Sequence, residues 1–124
     1  MRSLALLLVL ATPAQADPSM ECPGSSQIEI GACVTETLAR VDAAMETAYG
    51  FALNAAGALD TETGRPGALP ALEAAQTAWL AWREAQCAFA GAQFAGGSGT
   101  GIAITSCRIE LGRDRVTALL DAAR

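Results

Sequence analysis

The sequence predicts an all-α fold, a small disulfide-stapled three-helix bundle or a helical hairpin with a third helix packed across it. Three observations carry this. Apolar residues recur at steps of three and four in three separate stretches, no stretch alternates as a strand does, and runs of Gly and Pro separate the periodic stretches. A chain of 124 residues fits one small domain.

Residues 1–16 read as a secretory signal peptide. Arg2 is the charged start, 4–11 form a short apolar run, and Ala14-Gln15-Ala16 is a small-x-small cleavage site. The run is too short to span a bilayer, so no membrane insertion is expected. No Cys follows the site directly, which predicts a freely exported domain at 17–124, in the periplasm or outside the cell. A retained anchor is the competing reading.

The first helix is expected over 27–57. Ile30, Val34, Leu38, Val41, Met45, Ala48 and Ala52 share one stripe. Ser25 or Ser26 can cap its start, with Glu29 completing a capping box, and Gly57 is the expected stop. Residues 60–67 then read as a connection rich in turn formers. Asp60, Glu62 and Gly64 match part of a calcium loop, but Ala71 stands where that pattern requires Glu. A second helix is expected over 70–94, opened by Pro70, with Leu72, Ala75, Trp79, Trp82, Gln86 and Phe89 inward. The run 96–101 holds too much Gly to stay helical. A third helix follows over 102–122, with Ile102, Thr105, Ile109, Gly112, Val116 and Leu119 in one row.

Ala and Gly line these faces, so the core is expected to be thin, with Trp79, Trp82, Phe89, Phe51 and Tyr49 supplying much of its bulk. Burying one large apolar side chain contributes roughly 1.5–3 kcal/mol, which leaves so small a domain in need of covalent support. Export makes disulfides the default state of Cys22, Cys33, Cys87 and Cys107. Three pairings are possible. Cys22 with Cys33 and Cys87 with Cys107 asks only for local closure and is preferred; a bridge closing about fifteen residues contributes roughly 3 kcal/mol in the chain-entropy model.

The inventory excludes much chemistry. The chain has no His, and its eight cations are all Arg. An imidazole base, a Ser-His arrangement, a Schiff-base lysine and a phosphate-binding Lys are all missing. Bonded cysteines are not nucleophiles. No metal site and no cofactor is expected, and Glu110 with Asp114 reads as solvated charge, not as a glycosidase pair. A net charge of −5, one unit more negative without Arg2, disfavours nucleic acid and suits a basic partner.

At Gln76-x-x-Trp79-x-x-x-Arg83-x-x-x-Cys87 the sequence resembles the lysozyme-inhibitor LprI-like domain of bacterial envelope and secreted proteins. Cys22 and Cys33, then Asp42, Met45 and Tyr49, look like that family's first cysteines and the helix after them. Gly96-Gly97-Ser98, Cys107, Arg115 and Leu119 look like its Gly-rich connection, fourth cysteine and closing Arg-x-x-x-Leu. Glu46 and Trp82 stand where the family usually has Asn and Tyr or Phe. The resemblance implies an exported, disulfide-bonded helical domain that inhibits a basic lysozyme or another glycan hydrolase; a structural module of the envelope is the alternative.

Two sets of residues are candidates for contact with a partner. Trp79 and Arg83 are of the types that dominate interfaces. Their row also carries Gln76 and Cys87, and a cysteine bridged to the next helix turns that row inward. The favoured reading therefore pairs Arg83 with a carboxylate such as Asp42 and lays its stem on Trp82. Arg115 is likewise expected to pair with Glu110, Asp114 or Asp121. The loop Gly96, Gly97, Ser98, Gly99 and Thr100 is the better candidate for contact, because its backbone and hydroxyls suit insertion into a cleft lined by carboxylates. A plain interhelical turn is the alternative.

Overall fold

In a computed structural model, which describes residues 17–124, the first long helix starts where Ser26 and Glu29 cap each other. Ser26 Oγ accepts from the Glu29 amide at 3.2 Å, and Glu29 Oε2 accepts from the Ser26 amide at 3.1 Å. Orphan amides at the helix start are thereby satisfied. The expected leader, 1–16, lies outside the described residues.

Helix α1 runs Gln27–Thr63, past the stop expected at Gly57. A glycine ends a helix when the chain must enter left-handed backbone, and Gly57 stays helical with open space where a Cβ would be. The stop is Gly64, at φ 63°. The connection is therefore 64–67, shorter than the 60–67 expected.

Asp60 stays in α1 and reaches forward. Its Oδ1 accepts from the Ala68 amide at 2.8 Å and its Oδ2 from the Leu69 amide at 3.0 Å. These bonds cap helix α2, Ala68–Ala92, whose own N-cap position is Gly67 and has no side chain to offer. They also hold the Asp60 carboxyl below its usual range. The carboxylate that suggested part of a calcium loop is thus engaged by backbone amides. Pro70, expected to open α2, falls two residues inside it.

Helix α3 runs Thr100–Ala122 and packs on both others, most extensively on α1. Small residues set the approach. A Cβ on Gly112 would lie 2.7 Å from Val41 Cγ1 of α1, and one on Gly91 of α2 would run into the Ile104 side chain. Two apolar clusters result. Met45, Ala48, Ala52 and Leu119 pack with Tyr49, Leu72, Trp79 and Val116; Cys22, Val34 and Ile109 pack with Ile30, Leu38 and Val41.

The N-terminal arm is a short 3₁₀ turn, Pro18–Glu21, followed by Cys22, which is bonded to Cys33. Glu21 also accepts from both Nη atoms of Arg113 at 2.7 and 2.8 Å, tying the arm to α3. Cys87 is bonded to Cys107 across the α2–α3 connection.

The aromatic core expected from the sequence is only partly present. Trp79 and Tyr49 pack inward, but Phe51 is 54% exposed, Trp82 49% and Phe89 60%. The buried row of α2 is Gln76, Arg83, Cys87 and Gly91. This row is turned by about one residue, or some 100°, from one that would bury Trp82 and Phe89.

Candidate functional site

The residues that carry the family resemblance converge inside the bundle. Asp42 from α1, Gln76, Trp79 and Arg83 from α2, and Arg115 from α3 form a polar layer joining the three helices. Arg83 is 7% exposed, and its Nη1 donates to Asp42 Oδ1 at 2.7 Å. Its guanidinium lies over the Trp79 ring, 5.2 Å from the centroid, and Arg115 lies over the same ring at 5.6 Å. Arg115 Nε donates to Gln76 Oε1 at 2.9 Å. The indole is thus held by two cations, a contact whose attraction grows when the groups are desolvated. Burial lowers the Arg115 pKa, and Tyr49 acts in the opposite direction.

Two details of this layer differ from expectation. The guanidinium of Arg83 lies over Trp79, while Trp82, on which its stem was expected to lie, is half exposed on the outer face of α2. Arg115 takes Gln76 instead of a carboxylate, since its position on α3 faces α2 while Asp114 and Asp121 face water. Leu119 lies one turn beyond Arg115 and is fully buried. The layer's polar groups are engaged between the helices, so it reads as architecture.

The Gly-rich connection leaves α2 through a series of tight turns. Ala95 and Gly96 adopt φ 49° and 79°, and the Gly97 amide donates to the Phe94 carbonyl at 2.9 Å. Thr100 Oγ1 donates to the Gly97 carbonyl at 2.7 Å, so its proton is already engaged. Gly96, Gly97 and Ser98 stand exposed at the tip. The Cys87–Cys107 bridge, with Cα atoms 5.5 Å apart, holds the helices beneath it.

Beside this loop lies a feature that sequence reasoning missed. A cavity of about 320 Å³ opens between the 3₁₀ turn, the end of α2 and the start of α3. Asp17, Ser106 and Glu110 line it with Gln93, Phe94 and Ile102. Ser106 is 2% exposed, and its Oγ has no hydrogen-bond partner of normal length and angle. Burial raises the Glu110 pKa, and the charges of Asp17 and Asp114 raise it further against the opposing effect of Arg113. Asp17 is pushed up by burial, yet hydrogen bonding to Ser19 and the nearby Ser106 hydroxyl bring it below its usual value. The spacing of four between Ser106 and Glu110 was visible, but Asp17 joins them only through the fold.

Large aromatic side chains stand exposed on α2 and at this cavity. Trp82 and Phe89 are two turns apart on the outer face of α2, and Phe94, 52% exposed, follows at the cavity mouth. Among the described residues there is no cluster of three or more metal-ligating side chains and no helix long and apolar enough to cross a membrane.

The chain matches the family described as lysozyme inhibitor LprI over residues 20–119. An uncharacterized protein of Rhizobium meliloti (strain 1021) is 35% identical to it over 124 residues, covering 94% of this chain and 89% of the relative. No solved structure matches the chain. The family match spans both disulfides and every residue of the polar layer: the chain belongs to the LprI lysozyme inhibitor family.

Proposed function

We propose that this protein is exported after cleavage between Ala16 and Asp17. In the periplasm or outside the cell it blocks a lysozyme or a related peptidoglycan-cleaving enzyme by direct protein contact, without catalysis of its own. The observation that carries this reading is the division of the molecule. The residues of the Gln/Trp/Arg/Cys row are consumed in its interior, while Trp82 and Phe89 stand exposed on the outer face of α2 and Phe94 stands exposed at a Gly-rich loop braced by a disulfide. Exposed large aromatics are the usual anchors of protein interfaces. The acidic surface adds steering toward a basic enzyme, an effect that weakens with salt.

The absence of His and the bonding of all four cysteines support a role in binding. Lysis of bacterial cell walls by c-type and g-type lysozymes, with and without excess oxidised protein, tests the reading. Inhibition that weakens as salt rises is expected. Undiminished lysis by both enzymes would favour an envelope interaction module instead.

A further inference from the structure

We propose that the cavity between Asp17, Ser106 and Glu110 is a socket for an arginine side chain presented by a basic protein partner. The inference rests on the proposed function for the kind of partner, but the chemistry of the socket stands on its own residues. Two carboxylates from separate parts of the chain line it, and no cationic side chain among the described residues does. Glu110 forms no ion pair among the described residues, so its charge is left for an incoming group. The buried Ser106 hydroxyl lies near Asp17 without a hydrogen bond of normal geometry and faces the same space. Phe94 and Ile102 give the cavity an apolar wall.

This combination selects its occupant. A guanidinium offers several N–H donors in a plane, enough to reach two carboxylates and a hydroxyl, while its apolar stem lies along Phe94. The end of α2 brings carbonyl groups and the start of α3 brings amides, so the helix dipoles oppose each other and the acids decide the sign. A metal ion is disfavoured because the described residues hold no cluster of three ligands.

The test needs no lysozyme. The protein labelled with ¹⁵N is titrated with N-acetylarginine methylamide and, separately, with the citrulline analogue, which keeps the shape and loses the charge. Saturable shifts at the amides of Ser106, Glu110 and Gly99 are expected with arginine and not with citrulline. Glu110→Gln should weaken binding by roughly tenfold, the loss of one charge-assisted contact. The same substitution should leave the melting temperature unchanged or raise it, because a carboxylate whose pKa is raised by folding disfavours the native state at neutral pH. Binding should fade as pH drops through the raised Glu110 pKa, with Asp17, Asp114 and Arg113 as the charged groups nearby.

Several results would overturn the proposal. They are equal shifts with citrulline, equal shifts with calcium, or shifts with chitotriose and none with arginine. A chain processed before Asp17 carries a new α-ammonium close to the cavity. Failure of arginine to bind, together with an α-ammonium pKa raised above its usual range, would assign the socket to the chain's own end. Negative lysis assays with positive arginine binding would remove the lysozyme reading and leave the socket standing.

Discussion

The polar layer at the centre of the bundle and the cavity beside the Gly-rich loop use similar groups to opposite ends. In the layer, Arg83 meets Asp42 at 2.7 Å, Arg115 meets Gln76 at 2.9 Å, and both guanidiniums lie over Trp79. Each guanidinium there has one answering group, Asp42 or Gln76, and the Trp79 face, although Arg83 Nε and Arg115 Nη2 make no hydrogen bond; the contacts join three helices in register. In the cavity, Glu110 and Asp17 lie together with no cationic side chain among the described residues lining it, and the Ser106 hydroxyl near Asp17 makes no hydrogen bond of normal geometry. Opposite groups that answer each other inside a protein specify structure, whereas like charges brought together without a counter-ion cost stability and suit a ligand of opposite charge. The family resemblance marks the first region, and the second is where this chain has capacity to bind.

Breaking the central layer should have the largest effect. Arg83→Met removes the ion pair and the stack on Trp79, and about 3 kcal/mol of stability should be lost, at the low end for a buried pair because Asp42 is partly exposed. Urea denaturation of the oxidised protein measures it. A loss below 1 kcal/mol would mean that the layer is not what holds the helices together.

Gly112→Ala probes the same layer by sterics. The added methyl meets Val41 Cγ1 at 2.7 Å, and overpacking of this kind costs about 1–3 kcal/mol. Gly101→Ala, in open space near the start of the same helix, should instead stabilise by up to about 1 kcal/mol. Opposite signs for one substitution on one helix would separate close approach from mere helix propensity.

Asp60→Asn tests an acid of the opposite kind to Glu110. Because its folded pKa is lowered by the Leu69 and Ala68 amides, its contribution is complete above the unfolded value of 3.8 and is lost as pH falls through the folded value. The variant should melt at a lower temperature than the parent at pH 7, and the difference should close below pH 3.8. A gap that persists in acid would show that the amide cap itself, not its charge, is what Asn fails to supply.

The smallest effect on stability should come from the outer face of α2. Trp82→Ser is expected to change stability by about 0.5 kcal/mol, as at other exposed positions, while reducing inhibition more than any substitution in the central layer that leaves the fold intact. Parallel unfolding and lysis measurements give both numbers. A large loss of stability would place Trp82 with the core after all.

The first stripe was readable because α1 has one apolar face, and Val34, Met45, Ala48 and Ala52 are buried as its period requires. The Ser26–Glu29 cap was readable because it is local. Helix α2 misled, since aromatic size favoured Trp82 and Phe89 as inner residues while the buried row carries Gln76 and Arg83. Hydrophobicity alone ranks Gln and Arg as outer residues; partners on other helices decide otherwise. Asp60 misled for a related reason, because its acceptors are filled by amides eight and nine residues away, across a turn.

What the sequence by itself determined is therefore the helical class, the order of the helices, the family and the chemistry that is absent. These depend on periodicity, local caps and residue types, which act over a few positions. The pairing of Arg83 with Asp42 was also readable, but only the tertiary structure decided that Trp82 and Phe89 would stay outside, that Arg115 would take Gln76, and that Asp17 would meet Ser106 and Glu110. Each of those outcomes joins residues distant in the chain, where approach set by Gly91 and Gly112 fixes the distances at which charges pair or stay unpaired.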